Sequence, residues 1–496
     1  VTTRRRAPNT RLRALIEETG WTNENFARAV NHTAAEAGTT RHYDRTTVSH
    51  WLTGSRPNPP MPAFIAETLS RRLGRPITPH DAGLTPADQA TTPDECPPDP
   101  RALTQLLWSD LDPARRSPLR SLPYHADWTV LPEQPAPLDS THRAGTPARW
   151  IGLGEVDALR EVTAAFARVD RAFGGGHARA AVAAYLATDV SGWLQADAHD
   201  DIRKELLGAT ATLVYLLGFM SFDSLYHNLA QRYYRIAQHL ALQGDNSTVH
   251  AIVLRGMSIQ AAHLGHDHHA ARLADAAVDT TGPTTPPCVR SAVLGQAAVA
   301  HAALSHRRRA LSLLAQAEKH LDKSTPTTTD IGSASQADLV HHKGQVLTFF
   351  RDLRQAELAF SESVRLRTDH ERRSRMLTLH HLADLQLRRG RVEHACATLQ
   401  RFLGEYSRMH SARISTALTA VRTQLLPHLR NPNVRRVLHQ TAAAHDPNNP
   451  DSTTHGDGSP GCPARSPSAT IALHDGRTPA CRDHVTTTQW TPVTAP

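Results

Sequence analysis

Metal ligation is the chemistry the side chains suggest first. The chain has 31 histidines, with His263, His266, His268 and His269 close together and the pairs His341-His342 and His380-His381 further on. Adjacent residues of a helix point about 100° apart, so neither pair makes a shared site by itself. His266, His268 and His269 fall where an exposed turn is expected, and polar residues are ordinary there. Cys462, Cys481 and His484 lack the two tight ligand pairs of a zinc module. Gly174-Gly175-Gly176 follows a helical stretch but lacks the Lys-Ser/Thr of a phosphate loop and the strand of a dinucleotide fold. His177 and Arg179 leave it only a weak claim on an anion at the next helix start. No nucleophile-elbow, kinase or metalloprotease pattern occurs. The expectation is no catalytic constellation, no metal, no cofactor, and a protein that is not an enzyme.

What remains is charge. The net charge is +8 over 496 residues, and residues 1–84 hold twelve arginines against seven acidic residues. About a sixth of the chain thus carries five of the eight charges, which directs the N-terminal part at a polyanion. Five scattered cysteines, Cys96, Cys288, Cys396, Cys462 and Cys481, offer no disulfide framework and suit a reducing compartment. The arginine-rich start lacks a following apolar h-region, and no stretch reads as a membrane span. A soluble, cytoplasmic protein is expected.

Such a length exceeds one hydrophobic core, and a middle dominated by Ala and Leu with few aromatics points to an all-α chain of several units. A helix from Thr10 buries Leu12, Leu15 and Ile16 and stops at Gly20; Thr22 caps a second with Phe26, Ala27 and Val30 inward. A third runs from the cap Asp44 through Val48, Trp51 and Leu52 to Gly54, leaving Arg45, Thr46, Thr47 and His50 facing out. A fourth spans about Met61 to Leu73, with Phe64, Ile65 and Leu69 inward.

These four helices resemble the helix-turn-helix domains of the Xre/Cro-type repressors, most specifically in Val48-Ser49-His50-Trp51-Leu52-Thr53-Gly54-Ser55-Arg56-Pro57. The resemblance implies that Arg45, Thr46, Thr47 and His50 read bases of double-stranded DNA and that Ser55 and Arg56 contact phosphate. Arginine can hold guanine O6 and N7 bidentately, and threonine methyls can meet thymine. The sequence departs from the family at Asn31–Tyr43, which adds about eleven residues between the second and third helices; the second helix extended to Gly38 is the simplest expectation.

From Thr85 to about Thr146, prolines break any long helix and predict a partly docked linker. Leu103–Leu111 is the exception that can form a short helix, and Trp108, Tyr124 and Trp128 are too apolar for an idle tether. Beyond Trp150 the pattern is helical. Turns recur at 265, 305, 351 and 390, each followed five residues later by alanine: Ala270, Ala310, Ala356 and Ala395. Loops at Thr280–Pro287 and Ser324–Ser335 lengthen the units. The repeat resembles tetratricopeptide repeats, which implies a stacked α-solenoid with a concave groove; a strict heptad seam is not sustained. Tyr185, Tyr226, Tyr233 and Tyr234 are candidates for contacts in that groove.

The segments Gly152–Arg160, Gly174–Arg179, Leu217–Asp223 and Leu229–Tyr234 resemble the helical domain of actinobacterial regulators that join a helix-turn-helix to tetratricopeptide repeats, the NsdA-type negative regulators of differentiation and antibiotic production. The expected organisation is a DNA-binding domain at 1–84, a linker at 85–148, repeats at 149–445 and a disordered tail at 446–496. The expected function is a homodimeric transcriptional regulator, a repressor of development or secondary metabolism, whose repeats bind a peptide, protein or small molecule. The other reading is a scaffold whose N-terminal unit docks protein instead of DNA.

Overall fold

The computed structural model describes residues 7–39, 42–85, 100–126, 150–324 and 331–443. Among these the regular structure is helical, with one isolated bridge between Trp150 and Asp197. The proposed tail, Trp128, Cys96, Cys462, Cys481 and His484 lie outside the described residues.

Capping chemistry sets the first four helices. In α1 (Thr10–Thr19) the Leu12 N–H donates to Asn9 Oδ1 at 3.0 Å, and Gly20 ends the helix at φ 70°. Asn9 also donates through Nδ2 to the carbonyls of Ala82 and Gly83, tying the start of the unit to its end. Thr22 caps α2 (Asn23–Glu36). Asp44 caps α3 (Arg45–Leu52), and Gly74 ends α4 (Met61–Leu73) in the left-handed region that favours glycine. Leu12, Ile16, Phe26, Val30, Val48, Trp51, Phe64, Ile65 and Leu69 form a core of their own.

Two short helices, α5 (Pro100–Leu111) and α6 (Pro113–Arg120), follow. Asp110 is buried between Arg120, Arg179 and the Tyr233 hydroxyl, which fastens α5 to the helices beneath it. Further on, the His125 N–H donates to Gln231 Oε1 at 2.9 Å while Gln231 Nε2 donates back to the His125 carbonyl at 2.8 Å. Tyr124 is buried, whereas Trp108 is 53% exposed.

The remainder is a solenoid-like succession of adjacent antiparallel helix pairs: α10 (Asp200–Asp223) with α11 (His227–Gln243), α12 (Ser247–His263) with α13 (Asp267–Thr280), α14 (Pro287–Ala303) with α15 (Arg307–Leu321), α16 (Gln336–Phe349) with α17 (Leu353–Leu366), and α18 (Arg372–Arg388) with α19 (Val392–Tyr406). One device makes every intra-pair turn. A left-handed residue, Leu225, Gly265, Ser305, Arg351 or Gly390, reverses the chain. The next N–H then reaches back to a carbonyl of the first helix, from Tyr226, His266, His306, Asp352 and Arg391, at 2.8–3.0 Å. The alanine five residues after each left-handed position, Ala230, Ala270, Ala310, Ala356 or Ala395, is fully buried. Extra volume has no room there. Ala310→Leu is expected to lower stability by about 1–3 kcal/mol, read from the denaturant midpoint, while Leu311→Ala beside it, on the exposed face, changes the midpoint little.

Before the pairs come α7 (Leu153–Phe173), α8 (Gly175–Tyr185), a π-helical turn at Leu186–Val190 and α9 (Ser191–Gln195). After them come α20 (Ala412–Leu425) and α21 (Pro432–Ala443). The two ends of the array meet. The His410 N–H donates to the Phe173 carbonyl at 2.7 Å and the Gly176 N–H to the His410 carbonyl at 2.9 Å. Arg373 of α18 holds both oxygens of Asp170 of α7 at 2.6 Å, with both side chains buried. The glycine run belongs to this junction: a Cβ on Gly175 would sit 2.7 Å from Met220 Cα, and one on Gly176 would sit 2.9 Å from the His410 oxygen. Its role is close backbone approach.

One expectation about hydropathy is corrected. Helix α10 is long and apolar enough to cross a membrane, with a mean hydropathy of 1.5, although 83% of that window is buried inside the fold. Tight packing of α10 under α8 and α11 is the physical reason for its apolar character.

Candidate nucleic-acid interface

Asp44 fixes the start of α3. Its Oδ1 accepts both the Thr47 N–H and the Thr47 hydroxyl at 2.8 Å, and these bonds, the backbone one first, hold the Asp44 carboxyl below its ordinary value. Asn31 and Tyr43, at the two ends of the added segment, are tied to each other here. Asn31 Nδ2 donates to the Tyr43 carbonyl and its Oδ1 accepts the Tyr43 N–H, each at 2.8 Å, while the Tyr43 ring packs 5.2 Å from Trp51. Asn31 therefore pins the chain that enters α3 against α2.

Val48, Trp51 and Leu52 are buried, which leaves Arg45, Thr46 and His50 exposed and Thr47 half-buried along one polar face. Thr47 spends its hydroxyl on the cap. Ser55 is half-buried and Arg56 exposed in the turn after Gly54. Among the described residues no carboxylate pairs with Arg45 or Arg56, so both guanidinium groups keep their donors for another partner.

The tyrosine candidates separate. Tyr233 and Tyr234 are fully buried and cannot line a groove: Tyr233 lies under α5 with its hydroxyl 3.2 Å from Asp110 Oδ2, and Tyr234 packs 5.8 Å from Tyr215. Tyr226 is half-buried beneath the guanidinium groups of Arg120 and Arg179, at 4.8 and 5.3 Å from its ring. Tyr185 is half-buried edge-on to Trp193.

The histidine turn also differs from expectation, because His266 and His269 are buried while His268 is exposed. His266 reaches across to the N-terminal unit, where its Nε2 lies 2.8 Å from Glu67 Oε1 on α4. Burial alone would raise the Glu67 carboxyl, but His266 and Arg71 outweigh it and hold the group below its ordinary value. Arg71 bridges Glu67 to Glu36 near the end of α2, each contact 2.7 Å. A chain of polar contacts, buried at His266 and Glu67 and half-buried at Arg71 and Glu36, thus runs from the α12–α13 turn through α4 to α2, against which α3 packs. The sequence signal for it was Glu67 itself, the one charged residue in the run from Phe64 to Leu69. Among the described residues no group of three or more potential ligands is placed to hold a metal.

No curated protein and no solved structure matches the chain. Residues 12–85, which span all four N-terminal helices except the first two residues of α1, match the family model described as the SP15 N-terminal domain.

Proposed function

We propose that the chain is a sequence-specific DNA-binding transcriptional regulator of the helix-turn-helix type, with α3 as the helix that enters the major groove. Supporting this is the exposed polar face of Arg45, Thr46 and His50 on a helix whose opposite face is locked into a core. Arg45 supplies the bidentate donors for guanine, and Ser55 with Arg56 the phosphate contact. In this reading the helical pairs act as tetratricopeptide-like repeats that bind a peptide, protein or small molecule and join two copies in the cytoplasm, and the regulation is repression. No catalytic role is assigned to any residue.

The test is titration of the full chain with the duplex recovered from its genomic binding sites. Arg45→Ala is expected to cost about 1–3 kcal/mol on that site and to relax discrimination at one base pair. Arg56→Ala is expected to weaken all duplexes alike and to reduce the salt slope by roughly 0.9. Parent-like binding by both variants would remove the base-reading assignment. Absence of any duplex binding by the parent would favour the scaffold reading, in which α4 already has a protein surface to dock on, that of the array at His266.

A further inference from the structure

The intra-pair turns from α10 to α17 form one edge of the array, because the pairs are antiparallel and the first helices α10, α12, α14 and α16 contact one another in succession. The turn between α12 and α13 carries the N-terminal unit, through His266 on Glu67 and His268 close against Gly74. The next turn along that edge opens α15 with Arg307, Arg308 and Arg309, all exposed. The one after it opens α17 with Arg351, Asp352, Leu353 and Arg354. Arg307 joins these two turns, its guanidinium 4.8 Å from the centre of the Phe350 ring. Arg309 is paired with Asp275 at 2.7 Å. Among the described residues Arg308, Arg351 and Arg354 have no carboxylate within ion-pair distance. An open depression is lined by His306, Arg307, Arg308, Arg309 and Gln316.

Folding does not call for these arginines. Ala310, Leu313 and Ala317 bury α15, and cations in the first turn of a helix oppose its dipole by some tenths of a kcal/mol each. Neither α15 nor α17 has an acidic residue in its first turn. Of the carboxylates near these turns, Asp275 is paired with Arg309, Asp352 is spent on capping α17 through the Gln355 N–H, and Glu357 is paired with Arg389 and Arg391. The result is a concentration of guanidinium groups, the side chain best suited to phosphate, on the two turns next to the one that carries the N-terminal unit.

We propose that this edge is a second phosphate-binding surface, which takes the backbone of duplex DNA flanking the site read by α3. The inference rests on the DNA-binding reading above. Helices pack about 8–10 Å apart, so the two turns extend the contact roughly 20 Å beyond the α12–α13 turn. Duplex DNA presents about one charge per 1.7 Å of axis over that distance.

The experiment compares the full chain with the variant R308Q/R351Q/R354Q on two mixed-sequence duplexes of about 16 and about 40 base pairs, across a salt series. Parent protein is expected to show a steeper salt dependence on the long duplex. The variant is expected to bind the short duplex as the parent does, and on the long one to lose about 0.9 of slope per contact removed and roughly tenfold in affinity. Circular dichroism shows that the fold is kept. If the variant equals the parent on both lengths while Arg56→Ala weakens both, the edge does not bind DNA and the reading of α3 stands. If the parent binds neither duplex, the reading of α3 fails and the inference with it. If polyglutamate, and not the long duplex, distinguishes variant from parent, the edge is a surface for acidic protein and the inference is overturned.

Discussion

Lowering the pH from 7 to about 4.5 is expected to unfold this protein. His227, His269 and His342 are buried, and burial, the largest influence on each, pushes the ring pKa down to about 3 from the ordinary 6.5. Arginine neighbours push in the same direction: Arg71 and Arg413 for His227, Arg272 for His269, Arg255 for His342. Above pH 6.5 the rings are neutral in both folded and unfolded chains, and the stability is whole. Between 6.5 and 3 the unfolded chain takes up a proton at each ring and the folded chain does not. Each histidine then costs about 1.4 kcal/mol per pH unit. Three together remove about 4 kcal/mol per unit, or roughly 8 over two units, against a total stability of about 5–15 kcal/mol. Glu67, held below its ordinary value, adds to the loss at the acid end. Asp170 works the other way, since burial lifts its carboxyl above the ordinary value despite Arg373. Far-ultraviolet circular dichroism against pH measures the balance, and His269→Leu should move the midpoint to lower pH. Retention of the full helical signal at pH 3.5 would refute the expectation.

Breaking the junction between the array's ends is expected to cost about half as much. Asp170→Ala leaves the Arg373 guanidinium buried against Phe219, whose ring centre lies 4.7 Å away, with its carboxylate partner gone. Removing one member of such a pair costs about 3–5 kcal/mol, because the remaining charge stays desolvated. Replacing both members, as Asp170→Leu with Arg373→Met, should recover most of the loss. Denaturant midpoints of the parent, the two single variants and the double variant decide the matter. A double variant no more stable than Asp170→Ala alone would show that shape, and not charge, holds the junction.

Both features bear on how far the sequence could be read. Four of the five turns were legible because Gly265 and Gly390 announce a left-handed residue, and the following alanine extends the pattern to Ser305 and Arg351. The fifth, at Leu225, has the same geometry and the same buried alanine, Ala230, but a leucine gives no sign of a positive φ. The N-terminal helices were legible from Thr22, Asp44, Gly20 and Gly74, each a local signal at a helix end. The face formed by Arg45, Thr46 and His50 followed from the spacing of Val48, Trp51 and Leu52 alone. By contrast, Asp170 and Arg373 are separated by 203 residues, and nothing near either in sequence points to the other. Burial of Tyr233, Tyr234, His266 and His269 was hidden for a related reason. Each is polar enough to suit a surface, and only the docking of α5, α10 or α4 covers it.

The meeting of the two ends changes the order in which the chain can acquire its structure. An open stack of helix pairs gains stability from neighbour to neighbour, so folding can begin anywhere and spread, and a shortened stack keeps most of what it has. Here α7 finds its partner for Asp170 only when α18 has arrived, some 200 residues later, and closing so long a loop has an entropic cost that grows with its length. The last step is therefore a long-range one, slower than the hairpins that precede it. A chain ending before Arg372 would have every pair from α10 to α17 and yet hold an orphaned carboxylate at its opening helix. Cooperativity in this array is a property of the ring of contacts, and the contact of α7 with α18 is among the last to be secured.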